Sequence, residues 1–281
     1  MVKHHLSKLG SMLPKTLVVN RGDMSSPKKI SQNHLKLDTV NFKNKTIHIA
    51  HMYPVQMNVY GDMGNIITLC YRLRARGYDV KYTAVQSVSE LNSLQLDIVV
   101  GGGGQDSNQT IVHNDIFKYR KIMQNLHDDG TVGLMVCGMY QLLGNTLMLN
   151  DSSRRDGAQV FSIETTANSE RIIGNVVAQS EYGNLVGFEN HSGVTTIADD
   201  AVPLGRVPLS VGNNGKDGTE GVVSNNVFGT YMHGPVLAKN PVFADEIISR
   251  AVNRRYGTTE LESMDDFVEL QAANKASQRP R

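Results

Sequence analysis

Apolar residues fall in two rhythms along this chain. In the first half, short apolar runs alternate with stretches of helical period. Residues 46–50 read as a strand. Residues 64–76 place Ile66, Ile67, Leu69, Cys70 and Leu73 on one side, the spacing of a helix, and Gly77 stops it. Residues 79–85 and 96–100 read as the next strands, the latter running into Gly101, Gly102, Gly103 and Gly104. Residues 108–126 have a helical pattern followed by Gly130, and 131–136 form a fourth apolar run. Such alternation predicts a parallel sheet with helices on both faces. In the second half the runs become short: 160–163, 172–179, 185–189, 194–197, 221–224 and 227–231 read as strands between Gly, Asn and Asp turns, above all the loop 212–218. A helix over 241–255, stopped by Gly257, closes the pattern. The prediction is an α/β fold: a central, mostly parallel sheet flanked by helices, with an antiparallel β-rich second half. Residues 45–257 form the domain. Residues 1–44, lysine-rich and without a sustained period, form an irregular extension, and 258–281 form a polar tail.

Composition narrows the function classes. The chain has 281 residues, of which 40% are hydrophobic, and a net charge of +1. That charge gives no argument for nucleic acid or an anionic membrane surface. No apolar stretch approaches the ~20 residues of a membrane span, and the run at 17–19 is too short for a signal-peptide core. Two cysteines, Cys70 and Cys137, make no disulfide framework and point to a reducing cytoplasm. Without a C-x-x-C pair no zinc site is expected.

Cys137 carries the chemistry. It ends the fourth apolar run, and Gly138 opens a helical stretch. A thiol on that turn projects from the sheet edge, and a helix N-terminus favours its thiolate. A small buried hydrophobe is the alternative for a free cysteine. Ligands of such sheets bind beyond the carboxyl ends of the strands, where the glycines 101–104 also lie. Their N–H groups, with that of Gly138, would form an oxyanion hole, each donor worth roughly 2.7–4 kcal/mol of barrier. No Gly-Lys-Ser/Thr follows, which excludes a Walker A loop; the segment 61–65 also lacks the lysine and reads as the cap of the helix after it. Gln141, one helical turn beyond Cys137, is placed to meet a polar substrate or to face solvent. As bases, His191 in a turn and His233 at a strand end are both candidates, and spacing does not choose between them.

Together the segments 60–67, 102–106, 137–144, 186–191 and 229–235 resemble the class I glutamine amidotransferases, in the cobyric-acid-synthase-like branch. Within it they are most similar to the glutaminase subunits of lipid II isoglutaminyl synthases. The resemblance covers residues 46–257. It implies that Cys137 is the nucleophile, His233 its base and His191 part of a structural loop. It also implies that Arg171 binds the substrate, L-glutamine, a guanidinium meeting the α-carboxylate. Gly103, Gly104, Gly138 and Gln141 complete the expected substrate contacts.

Two departures from the family stand out. Met139 occupies a position where the family usually has glycine, which predicts a looser turn. Pro235 stands where related enzymes commonly have a glutamate, so the expectation is a Cys–His dyad whose orienting carboxylate comes from a partner subunit. Losing the third member of a triad costs about 10⁴-fold in a serine protease. The ammonia also needs an acceptor, and no ATP site is visible here. The resemblance implies a Mur-ligase-like, ATP-dependent synthase subunit that binds ATP and Mg and forms a heterodimer with this chain. That subunit would amidate D-glutamate of the lipid II stem peptide to D-isoglutamine at the inner face of the membrane. A trans-acting glutaminase of cobalamin type, and a non-catalytic module of the same fold, stay open beside it.

Overall fold

The computed structural model describes residues 45–104 and 106–280, with the side chains of 106–109 left aside. The expected extension 1–44 lies outside the described residues.

The first half alternates strands and helices as the pattern predicts. It runs β1 (Thr46–Met52), α1 (Met63–Ala75), β2 (Asp79–Val85), α2 (Val88–Leu91), β3 (Ile98–Gly101), α3 (Asp106–Lys118), α4 (Arg120–Asp128), β4 (Val132–Val136) and α5 (Gly138–Leu142). The second half runs β5 (Thr146–Met148), β6 (Arg154–Asp156), β7 (Ile163–Ser180), β8 (Gly183–Ile197), β9 (Gly205–Arg206), β10 (Thr219–Glu220), β11 (Val222–Ser224), β12 (Val227–Thr230), β13 (Met232–His233), α6 (Val236–Lys239), α7 (Pro241–Tyr256) and α8 (Phe267–Ser277).

A six-stranded sheet has the order β11-β12-β4-β3-β1-β2. All its neighbours are parallel except β11 and β12. β3 and β4 are buried at every position, as strands covered on both faces must be, which is why they read as unbroken apolar runs. Gly101 pairs with Met135, and Thr230 with Val136. The chain therefore leaves three adjacent strands at one edge, bringing together the glycine loop, Cys137 and residues 231–233. Helix α7 buries Phe243, Ala244, Ile247, Ile248, Ala251 and Val252, and Gly257 ends it at φ 72°, a left-handed cap glycine adopts without strain.

The second sheet is built on a long hairpin. β7 has 18 residues and β8 has 15, antiparallel, with a register shift between Ala167 and Ile172. β13 joins it, Met232 opposite Glu189 and His233 opposite Phe188.

Several elements differ from the pattern. Each long strand was expected as two short ones, because the polar stretches 167–171 and 190–193 resemble turns. The first of these stretches is a solvent-facing bulge in β7. His191, expected in a turn, lies inside β8 and is buried. The helix expected over 108–126 is broken at Tyr119, whose ψ of 20° interrupts it. Ile67 was read with the apolar face of α1 but is exposed. Helix α2 was not foreseen, although Ser87 and Glu90 form a complete capping box. The C-terminal segment carries α8 and is fastened to α1 and α7. Arg72 of α1 is buried and bonds Asp245 and Asp266, while Arg76 donates to the Glu262 carbonyl.

Candidate active site

The turn at Cys137 is sharp. Its backbone has φ 53° and ψ −106°, a conformation that costs a residue with a Cβ on the order of 1–3 kcal/mol. Neighbouring bonds hold it there. The Cys137 N–H donates to Thr230 O at 2.8 Å, and Cys137 O accepts the Gln141 N–H at 3.0 Å. Met139 does not loosen the turn. It is fully buried against Gly101, where an added Cβ would come within 2.6 Å of the Met139 Cγ. The room for close strand–helix packing is supplied here by a glycine on the facing strand.

His233 is buried beside this thiol. An added Cβ on Gly103 would lie 2.9 Å from His233 Cε1 and 3.5 Å from Cys137 Sγ, so thiol and imidazole flank a space that only glycine leaves open. The Tyr60 ring covers the imidazole at 4.4 Å between centroids. His233 Nδ1 sits 3.1 Å from Asp62 Oδ1, and Nε2 has no hydrogen-bond partner among the described residues. Burial pushes the His233 pKa down, but Asp62 and the adjacent Cys137 outweigh it and bring it up to about 10.

Asp62 corrects two expectations. It occupies the N-cap position of α1, yet its side chain caps nothing. Asn58 Oδ1 accepts the Met63 N–H instead, at 2.8 Å. The Asp62 carboxylate turns inward to His233 and, through Oδ2, accepts the Gly103 N–H at 2.7 Å. A carboxylate on His233 is thus already present in this chain, and the expectation that a partner brings it rested on position 235 alone. Pro235 instead packs against Gly64 at the start of α1.

A cavity of about 570 Å³ opens on Cys137. Gly104, Gln141, Arg171 and Asn190 line it. Arg171 stands in the β7 bulge, and Asn190 fixes its guanidinium: Nε donates to Asn190 Oδ1 at 2.8 Å and Nη2 to Asn190 O at 3.0 Å. Gln141 is buried, its amide nitrogen donating to the Tyr231 hydroxyl at 3.0 Å. His191 stacks on Tyr231 at 3.6 Å and bonds Gly193 O, which makes it a packing residue. Of the expected oxyanion donors, Gly103 N–H is engaged by Asp62, whereas the Gly138 N–H, first of α5, has no acceptor among the described residues. No group of three or more His, Cys, Asp or Glu among the described residues is arranged to hold a metal ion.

The sequence therefore brought Cys137, His233, Arg171, Gln141 and the glycines to one place. It missed Asp62, Asn190, Tyr60 and Tyr231. Asp62 gave a misleading signal, because an aspartate before a helix reads as a cap. Asn190 gave none, since its role depends on the register of β7 against β8.

Residues 48–241 match the CobB/CobQ-like glutamine amidotransferase domain. The chain is 33% identical over 225 residues to the lipid II isoglutaminyl synthase (glutamine-hydrolyzing) subunit GatD of Staphylococcus aureus, covering 80% of this chain and 92% of that protein. It is 35% identical over 236 residues to the subunit of the same name from Streptococcus pneumoniae, covering 82% and 90%. Among solved structures, a glutamine amidotransferase superposes with a TM-score of 0.53 at 14% identity, over 72% of this chain and 98% of that one, a likeness of fold. With the domain matched over most of the chain and two relatives matched over nearly their whole length, this protein belongs to the CobB/CobQ-like glutamine amidotransferases and is a glutamine-hydrolysing enzyme.

Proposed function

We propose that this chain is the glutaminase subunit of a lipid II isoglutaminyl synthase, with Cys137 as nucleophile and His233 as base. The observation that carries the site assignment is the strained Cys137 turn beside buried His233, on the wall of a cavity that also holds Arg171. The two GatD relatives support the choice of acceptor.

Arg171, fixed by Asn190, receives the α-carboxylate of L-glutamine and directs the side-chain amide toward Cys137. The Cys137 sulfur, its proton already held by His233, attacks the amide carbon. The Gly138 N–H takes the oxyanion. Collapse breaks the C–N bond, and His233 returns the proton to the leaving nitrogen as ammonia. A water then gives a proton to His233 and attacks the thioester carbon, releasing glutamate and restoring the thiol.

The ammonia goes to a Mur-ligase-like partner subunit that binds ATP and Mg and amidates the D-glutamate of lipid II at the inner face of the membrane. No helix among the described residues is long and apolar enough to cross a membrane.

Cys137→Ala tests the chemistry. Glutaminase activity falls below detection with an unchanged circular dichroism spectrum, and a glutamine-analogue electrophile that labels the native chain at residue 137 no longer labels it. Hydrolysis retained in the variant would sink the assignment. Co-purified with its partner and given ATP, Mg and glutamine, the native chain supports amidation of lipid II and not of a corrinoid carboxylate.

A further inference from the structure

We infer that Asp62 is the positioning residue of this centre, one buried carboxylate that sets both the imidazole of His233 and the peptide of Gly103. The inference rests on the glutaminase reading and adds the group that aligns its base with its glycine loop.

Asp62 is fully buried, and each oxygen has its own donor: Nδ1 of His233 at Oδ1 and the Gly103 N–H at Oδ2. It is not explained as a helix cap, because Asn58 does the capping. An ionised carboxylate only accepts, so a proton is held on Nδ1, and the other ring nitrogen, Nε2, is the one left to exchange its proton with Cys137. The glycine loop is fitted to the same group. An added Cβ on Gly102 would come 2.7 Å from Asp62 Oδ2, and Gly103 O accepts the Val59 N–H at 3.1 Å. Moving Asp62 therefore moves the base and the loop together. The titratable groups facing His233 are Asp62, Cys137 and Tyr60, and Lys239 binds the adjacent Gly234 carbonyl.

Asp62→Asn separates this role from simple packing. The amide has the same shape but must present an NH₂ to one of two donors. Facing His233, it forces the imidazole proton onto Nε2, the wrong side for a base. The same exchange in a serine protease triad costs about 10⁴-fold. The expected result is a kcat loss of roughly 10²–10⁴-fold with KM within a few-fold. By ¹⁵N NMR of the imidazole, the titration midpoint of His233, near 10 in the native chain, falls toward the ordinary histidine range. Asn58→Ala lowers the melting temperature and leaves that midpoint in place.

An unchanged kcat together with an unchanged midpoint in Asp62→Asn overturns the inference. Should that variant fail to fold, hydrogen exchange of the native chain decides: a Gly103 amide as unprotected as an open loop overturns it, and a protected one supports it. The NMR and exchange readouts need no turnover. A chain that never hydrolyses glutamine therefore defeats the functional proposal while the Asp62 linkage is still read separately.

Discussion

Glu220 lies wholly inside the protein. One carboxylate oxygen accepts the Thr230 hydroxyl and the Tyr231 N–H; the other has no partner among the described residues. Burial is the main cause that raises its pKa to about 7, and the charge of Glu189 adds to it. A carboxyl whose folded pKa stands above its unfolded value binds its proton more tightly in the native state. Stability therefore falls as pH rises from about 4.5 through 7. His233 acts in the same direction at higher pH, its contribution being complete below about 6.5 and lost through about 10. Glu220→Gln removes the first effect. Between pH 5 and pH 8 its melting temperature shifts in its favour relative to the native chain, by the equivalent of at most about 3 kcal/mol. Thermal denaturation at the two pH values measures this; parallel behaviour of the two proteins rejects it. At this scale the sequence was legible for the place of Cys137 at a strand end, while spacing left His191 and His233 open and only the family resemblance chose between them. It was illegible for Asp62, whose place before a helix reads as a cap that its side chain does not make.

Among the elements, α1 and α7 are joined by ion pairs that local pattern does not reveal. Arg72 meets Asp245 through two parallel bonds of 2.7 Å and reaches Asp266 at 2.6 Å. These partners lie 173 and 194 residues away in the chain. A reading by period ended the domain at Gly257 for that reason, whereas the segment beyond is bound to a buried arginine. Removing Asp245 leaves Arg72 and Arg76 short of their shared acceptor, and Asp245→Ala costs about 3 kcal/mol. Asp266→Ala, which leaves the two-bond pair intact, costs about 1–2 kcal/mol. Urea midpoints rank the two, and the reverse order counts against this account of the clamp. The hairpin of β7 and β8 was half legible. Its alternation marks strands, but the polar residues of the bulge hide that they are continuous.

Over the whole molecule, the alternation of strand and helix was enough to give a parallel sheet. It held no signal that β12, from the far end of the chain, lies beside β4. That placement depends on small residues where layers approach. Gly229 faces Tyr140, whose hydroxyl donates to Asn213 at 3.2 Å; an added Cβ would stand 2.3 Å from the ring. Gly229→Ala therefore overpacks this contact and destabilises the fold by about 1–3 kcal/mol. An unaltered denaturation midpoint would show that the ring moves aside freely.

The neighbour of β4 also fixes the order in which the chain comes to life. β1 to β4 and their helices pair among themselves, contacts of short and middle range that form early. The imidazole and the strand holding the Cys137 turn arrive only with the last third, His233 meeting an Asp62 made 171 residues before it. A chain still being synthesised thus carries the thiol before the imidazole, so the proposed site is assembled only once β12 and β13 have joined the sheets.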